Sequence, residues 1–454
     1  MILRSRILAC VSSLLLLSGC SFDLGDTVGL GGPSASGSGS GALVVGDEPY
    51  AVKVGAAILA QGGSAADAAT AMYFALSVTY PVAAGLGGGG ICIVRAGGQT
   101  DEFDFLARDS SGGGAYAVPG NVRGFALMQG LYGILPWQRD IAPGEVYASA
   151  GFPISRALWT RLTAAQDVIR LDANLSAEFL DESGAAKPAG TVVSNPDLAQ
   201  TLAAIRTGGP NGFYRGPVGA RIIAYSSSQG GAIGVAEFAR YEPQRTQPQA
   251  MQLGNQFVFL PSLSTGAGAF AGALFGTLNR AQQTSVGEND LQAATVVAVK
   301  QALAQFGVTN LPQDLGATGF AATDAHGQSV ACAVTMNGPF GSGHNAAGTG
   351  VTLARAPSSG QAGLAAAFVT PVIATDGSDL SLVGAAAGGP NGTAAMGYAL
   401  ARLGRGEALN RRGDLRSTGV APYDTINAIV CQSGACFALA DPGANGLGAS
   451  GDPQ

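Results

Sequence analysis

The chain has 454 residues, of which 12% are charged and 47% hydrophobic, with 70 Gly, 22 Pro and only 2 His. A composition this apolar can offset the entropy of ordering by burying surface, which excludes a disordered chain. A formal net charge of −6 argues against a nucleic-acid partner, which needs a basic stripe to displace counterions from phosphates; two His leave no His-cluster metal site, no cofactor is expected, and glycine without a three-residue period excludes collagen.

At the N-terminus, Arg4 and Arg6 precede an apolar run from Ile7 to Leu17, which is shorter than the roughly 20 residues a spanning helix needs. The run reads as the core of a secretory signal peptide. It ends in Leu17-Ser18-Gly19-Cys20, which resembles a bacterial lipobox and implies a signal peptide over 1–19 and lipidation of Cys20. Several acyl chains on one residue hold a protein stably at a membrane. Ser21 in place of Asp implies sorting to the periplasmic face of the outer membrane. Residues 20–41, rich in Gly and Ser, read as a flexible tether.

Beyond the tether, apolar spacing predicts a helix over 51–61, stopped by Gly62-Gly63, and a second from Ser64 to about Val78, opened by the capping box Ser64-Ala65-Ala66-Asp67. The glycine run from Gly85 to Gly90 leads into an apolar strand, Ile91-Cys92-Ile93-Val94. Helices are predicted over 121–132, 197–206, 218–226 and 291–305. Hairpins follow: 319–323 with 329–335, 368–374 with 380–387, and 425–430 with 437–440. The last is flanked at its turn by Cys431 and Cys436, a plausible disulfide in an oxidising compartment, while Cys92 and Cys332 read as buried free thiols. Continuous apolar strands indicate a sheet covered by other layers, and the pattern suits a layered α/β or α+β sandwich in a single large domain.

An ordered set of motifs resembles the γ-glutamyltransferases (γ-glutamyltranspeptidases). It runs through Gly62 to Ala69, Pro81, Gly85 to Gly90, Val118-Pro119-Gly120, Tyr132 to Trp137, Gly151 to Ser155, Asn195 to Ala199, Phe213 to Gly216, Phe320 to Gly350, Gly388-Gly389 and Ala440-Asp441-Pro442. The resemblance implies an α+β fold of the N-terminal-nucleophile hydrolase type, a four-layer αββα sandwich over 42–454. In that family a precursor cuts itself before a Thr, here dividing a large-subunit-like part (42–316) from a small-subunit-like part (317–454). The freed Thr passes a γ-glutamyl group to water or an amino acid. Such chemistry needs a hydroxyl, a base beside it and donors facing the developing oxyanion.

The chain departs from this pattern where the chemistry is carried. Phe320, Asp324, Gly327 and Asn337 fix the register, and Ala317 then stands at the nucleophile position, 20 residues before Asn337. The carboxylate-binding Arg of the family matches Leu106, with Arg108 two places late; its paired serines match Ala367 and Phe368; its amine-binding Asp has no counterpart within Leu353 to Pro357. Thr335 and Asn337 match the residues around the nucleophile, and Gly388-Gly389 match the oxyanion donors, although a strand Thr and a tight turn account for them equally well. His344 reads as a loop residue, Asp109-Ser110-Ser111-Gly112 as a loop, and Asp67 as a helix cap.

Two functions follow. The first is an unprocessed lipoprotein without transferase or hydrolase activity, retained as a binding or scaffold module for a γ-glutamyl or amino-acid ligand. The second is an active hydrolase of glutathione-type amides that uses Thr318 as its N-terminal nucleophile, although a one-residue shift along a strand turns a side chain to the other face. A nucleotide-binding glycine loop is disfavoured, because the run precedes a strand rather than a helix.

Overall fold

In the computed structural model, residues 37–39, 41–284, 287–416 and 423–451 are described. The signal peptide (1–19), Cys20 and most of the proposed tether lie outside them. Counting only the two large sheets, the strands are β1 (Gly37–Gly39), β2 (Leu43–Gly46), β3 (Gly89–Ala96), β4 (Gln99–Asp104), β5 (Gln244–Thr246), β6 (Gln249–Leu253), β7 (Gln256–Leu260), β8 (Ala317–Thr323), β9 (Ser329–Thr335), β10 (Thr370–Asp376), β11 (Asp379–Ala387), β12 (Thr425–Gln432), β13 (Ala435–Leu439) and β14 (Leu447–Ser450). The helices of three turns or more are α1 (Pro49–Ala60), α2 (Ala65–Thr79), α3 (Asn121–Tyr132), α4 (Trp137–Ala150), α5 (Pro196–Gly208), α6 (Gly216–Ser228), α7 (Gly266–Thr284), α8 (Glu288–Gln305) and α9 (Pro390–Leu403).

One sheet has the order β1-β13-β12-β11-β10-β7-β6 and the other β14-β2-β8-β9-β3-β4-β5. Each adjacent pair is antiparallel. Strand alternation gives each sheet two apolar faces. On the second sheet, Val44, Cys92, Val94, Phe320 and Val334 pack outward against Met72, Phe74, Phe125 and Ile141 of α2–α4. On the first, Val372, Leu382, Ile426 and Val430 pack outward against Phe270, Leu274, Met396 and Leu400 of α7 and α9. Leu43, Val45, Ile93, Ile373, Val383 and Ile429 fill the space between the sheets. The result is the expected αββα sandwich.

The predicted helices and hairpins form within a few residues of their expected limits. The capping box closes as predicted: the Ser64 hydroxyl accepts from Asp67 N at 3.1 Å and Asp67 Oδ2 accepts from Ser64 N at 2.9 Å. Residues on either side of position 316 interleave in both sheets, β8 and β9 lying between β2 and β3, so the polypeptide packs as one body across that point. Two expectations need correction. Gly37–Gly39, assigned to the tether, pairs with Cys436–Ala438 as an edge strand, because a Gly/Ser backbone can adopt extended geometry wherever an unpaired strand offers donors and acceptors. Cys92 and Cys332 are bonded to each other. They are direct cross-strand partners of β3 and β9, a proximity that 240 residues of separation conceals in the sequence. Cys431 and Cys436 are also bonded.

Candidate active site

Ala317 and Thr335 are cross-strand partners at one end of β8 and β9. Along β8, Phe320 and Ala322 point to the helix-side core, whereas Ala317 and Ala321 point between the sheets. The Ala317 methyl is 0% exposed, within a cluster formed by Ile91, Ala267, Ala333, Val369, Ala385 and Ala387, with Leu106 packed against it. No side chain of that cluster can accept a proton. Leu106, at the position expected for a carboxylate-binding Arg, thus closes the cluster. Phe368, at one of the paired-serine positions, is fully buried edge-on against Phe270 with ring centroids 4.8 Å apart.

The residues around this cluster keep a polar scaffold. The Thr335 hydroxyl donates to the Gly316 carbonyl at 3.1 Å and accepts from Asn337 N at 2.9 Å. Asn337 has a left-handed backbone (φ 57°), its Nδ2 donates to the Arg355 carbonyl at 2.9 Å, and its buried Oδ1 meets no donor among the described residues. Gly388 (φ 91°) and Gly389 follow Ala387 directly and lead into α9. A Cβ on Gly388 would lie 1.8 Å from the Tyr423 carbonyl, and one on Gly389 2.3 Å from Asp424 Oδ1, so this turn admits only glycine. The fold therefore brings Ala317, Thr335, Asn337 and the turn after Ala387 to one end of the sheets.

Thr318 stands elsewhere. Its hydroxyl donates to Asp47 Oδ2 at 2.7 Å, beside the Thr425 hydroxyl at 2.9 Å, while Asn427 Nδ2 donates to Asp47 Oδ1 at 2.7 Å and to the Gly319 carbonyl at 2.9 Å. Burial raises the Asp47 carboxyl above its ordinary range, and its hydrogen bonds with Asn427, Thr318 and Thr425 work against that rise. Asn427 Oδ1 accepts from Asp441 N at 3.1 Å, and Asp441 is ion-paired with Arg416. The Thr318 oxygen is thus committed to a buried network with Asp47, in which Thr425 lies directly across from Ala387.

The irregular segment before Ala317 is pinned. Arg161, in the helix Arg156–Ala164, donates from Nε and Nη2 to Asp314 at 2.8 and 2.6 Å, with the two side chains 2% and 8% exposed. Asp314 Oδ1 also accepts from Gly316 N at 2.8 Å. A second buried acidic arrangement lies behind α2. Asp67 accepts from Ser64, Gln129, Ile134 and Leu135, and faces Asp140, whose two carboxyl oxygens meet no donor in the described residues. Burial, and then the neighbouring Asp67 charge, push Asp140 up to about 9, so it carries a proton at neutral pH.

The remaining sequence candidates are structural. His344 is half-buried in a loop, where its backbone N–H donates to the Ser342 hydroxyl at 3.3 Å. Ser110 donates to Glu237 Oε1 at 2.6 Å, and Asp109 accepts from Ser358, so both tie loops together. Asp47, Asn427, Arg161 and Asp314 were not singled out by sequence reasoning. Only Asn427 carried a signal, as a polar residue within the apolar run Thr425 to Val430. No group of three or more His, Cys, Asp or Glu among the described residues could hold a metal ion.

The sequence pattern of the family described as gamma-glutamyltranspeptidase matches residues 51–307. The chain is 32% identical over 248 residues to the glutathione hydrolase proenzyme of Escherichia coli K12, covering 49% of this chain and 43% of that protein. It is 30% identical over 241 residues to glutathione hydrolase 2 of Arabidopsis thaliana, covering 49% and 42%. The match thus spans less than half the length of these relatives. Among solved structures, cephalosporin acylase from Bacillus halodurans superposes with a TM-score of 0.73 at 17% identity, covering 97% of this chain and 100% of that one, a likeness of fold. The γ-glutamyltranspeptidase of Helicobacter pylori superposes with a TM-score of 0.52 at 25% identity, covering 57% and 81%.

Proposed function

Because the chain belongs to the γ-glutamyltranspeptidase family, we propose that it is an exported, lipid-anchored member that neither cuts itself nor transfers or hydrolyses γ-glutamyl groups, and acts as a binding or scaffold module. The observation that carries this reading is the sealed methyl at position 317. Removing the attacking residue of a comparable covalent hydrolase costs on the order of 10⁶ in kcat, about 8 kcal/mol of barrier, which oxyanion donors alone do not restore. The surroundings support the same reading: Leu106 and Phe368 replace groups that would hold a glutamyl substrate, and the Ala317 methyl has no solvent exposure. The alternative nucleophile, Thr318, spends its hydroxyl on Asp47. The family's glutathione-type ligands remain the natural class for any binding. The anchor is Cys20, on the periplasmic face of the outer membrane.

A denaturing gel of protein purified from membranes, with a chromogenic γ-glutamyl amide assayed alongside, tests this reading. One polypeptide of full mature length and no turnover are expected. Two fragments, the smaller beginning at Thr318, with turnover abolished by Thr318→Ala, would replace it with the hydrolase reading. Labelling by a radioactive fatty acid that is lost in Cys20→Ser checks the anchor.

A further inference from the structure

A surface cleft of about 550 Å³ opens beside the short strand Arg108–Asp109, between it and the segment carrying Glu237, Arg240, Tyr241 and Glu242. Its size falls within the range of small-ligand sites. The floor is rigid: Tyr241 is 4% exposed and its hydroxyl donates to the Leu106 carbonyl at 2.8 Å. The Arg108 guanidinium lies over that ring, 4.8 Å from its centroid.

The charges in the cleft are unequally occupied. Asp109 Oδ1 accepts from Ser358 N at 3.0 Å and from its hydroxyl at 2.8 Å. Glu237 accepts from Gly234 N, the Ser110 hydroxyl and Ser111 N at 2.6, 2.6 and 2.8 Å, and these bonds hold its carboxyl down at about 2 against burial. Glu237 therefore has donors on both oxygens, and Asp109 is tied to Ser358 through Oδ1. Arg108 and Arg240 take part in none of the ion pairs of the described residues. Two guanidinium groups, one of them over an aromatic ring, thus line a concave space without an ion pair to any carboxylate of the described residues. A guanidinium presents paired N–H donors matched to the two oxygens of a carboxylate.

We propose that this cleft binds a small carboxylate, with Arg108 and Arg240 holding its oxygens and Glu242 at the rim available to a ligand amine. The carboxylate can belong to a free amino acid or to the C-terminus of a short peptide. The site does not depend on whether the chain cuts itself.

Titration calorimetry of the full-length chain with alanine, alanyl-alanine, their C-terminal amides and their N-acetyl forms tests the proposal. Heat of binding is expected for the carboxylates, and binding at least about tenfold weaker for the amides, because an amide loses the charge-assisted hydrogen bonds to the guanidinium groups. Binding by alanine alone identifies the free amino acid as the source, and preference for alanyl-alanine identifies the peptide terminus. Weakening by N-acetylation that disappears in Glu242→Gln places the amine at the rim. Arg240→Gln, at an exposed position, should lower affinity at least about tenfold without altering the thermal midpoint, and Arg108→Lys should retain part of the binding that Arg108→Gln removes. The proposal is overturned by equal binding of acids and amides, by Arg240→Gln and Arg108→Gln proteins that bind like the wild type, or by absence of heat with every carboxylate at about 20 mM, a concentration at which even millimolar binding saturates.

Discussion

Ala317 and Thr335 stand directly opposite each other across β8 and β9, and the Thr335 hydroxyl is satisfied by the Gly316 carbonyl and Asn337 N rather than by any group at position 317. The hydrogen-bonding of Thr335 is therefore complete without a nucleophile. This makes Ala317→Thr an informative substitution. It adds a hydroxyl and a methyl to a filled apolar cluster, so the protein should lose about 1–3 kcal/mol of stability in urea unfolding. Turnover of a γ-glutamyl amide should stay at background, because Leu106 and Phe368 remain. Recovery of both self-cleavage and turnover in this variant would show that the missing hydroxyl was the sole defect.

Thr318→Val removes one donor from the buried Asp47 carboxylate while preserving shape. An expected loss of about 1–3 kcal/mol in chemical denaturation follows from leaving a buried acceptor short of a partner. The single-chain state should be unaffected. A variant of wild-type stability would mean that the Thr318–Asp47 bond contributes nothing.

Asp140 ties stability to pH. Its carboxyl is held at about 9 in the folded protein against an ordinary value of 3.8, so the folded state retains a proton that the unfolded chain releases. That contribution is fully present below pH 4 and is lost progressively as pH rises towards 9. Asp140→Asn keeps a donor facing Asp67 but cannot titrate. Thermal midpoints measured from pH 5 to 9 should therefore fall less steeply in the variant, which should be the more stable protein at pH 8. Parallel curves for the two proteins would remove Asp140 from this role.

Arg161→Ala strands Asp314 as a buried, unpaired carboxylate in the irregular segment that leads into Ala317. Breaking a buried pair from one side costs about 3–5 kcal/mol, measured as a shift in the denaturation midpoint. The double variant Arg161→Met/Asp314→Leu, which leaves no orphan charge, should recover much of that loss.

Both cystine pairs should appear as cross-linked peptides in a non-reducing digest, 92 with 332 and 431 with 436. Because Cys92 and Cys332 are 0% exposed, reductant should leave their bond intact until the protein unfolds. Replacing both by Ala should cost about 2–5 kcal/mol, the usual range for a native disulfide. Free thiols at 92 and 332 in the folded chain would contradict the pairing.

Local patterns made much of the fold legible. Ser64 and Asp67 cap α2 because capping needs only residues three apart, and the hairpin of β8 and β9 forms around Asp324 to Gly327 because turn chemistry is local. The Gly/Ser composition of residues 37–39 misled for the same reason: composition reports intrinsic freedom, and the neighbouring edge of β13 decides whether that freedom is used.

The amino-acid order by itself determined the family resemblance, the helix and hairpin positions and the absence of a hydroxyl at 317, since each depends on residue identity at short or fixed spacing. Only the tertiary structure decided that the methyl is sealed by Leu106 and the alanines of β11, that Thr318 is committed to Asp47, that Cys92 meets Cys332, and that Asp140 must hold a proton against Asp67. Those outcomes depend on strand order and on burial, which join residues tens to hundreds of positions apart and change the energy of a charge by removing its water.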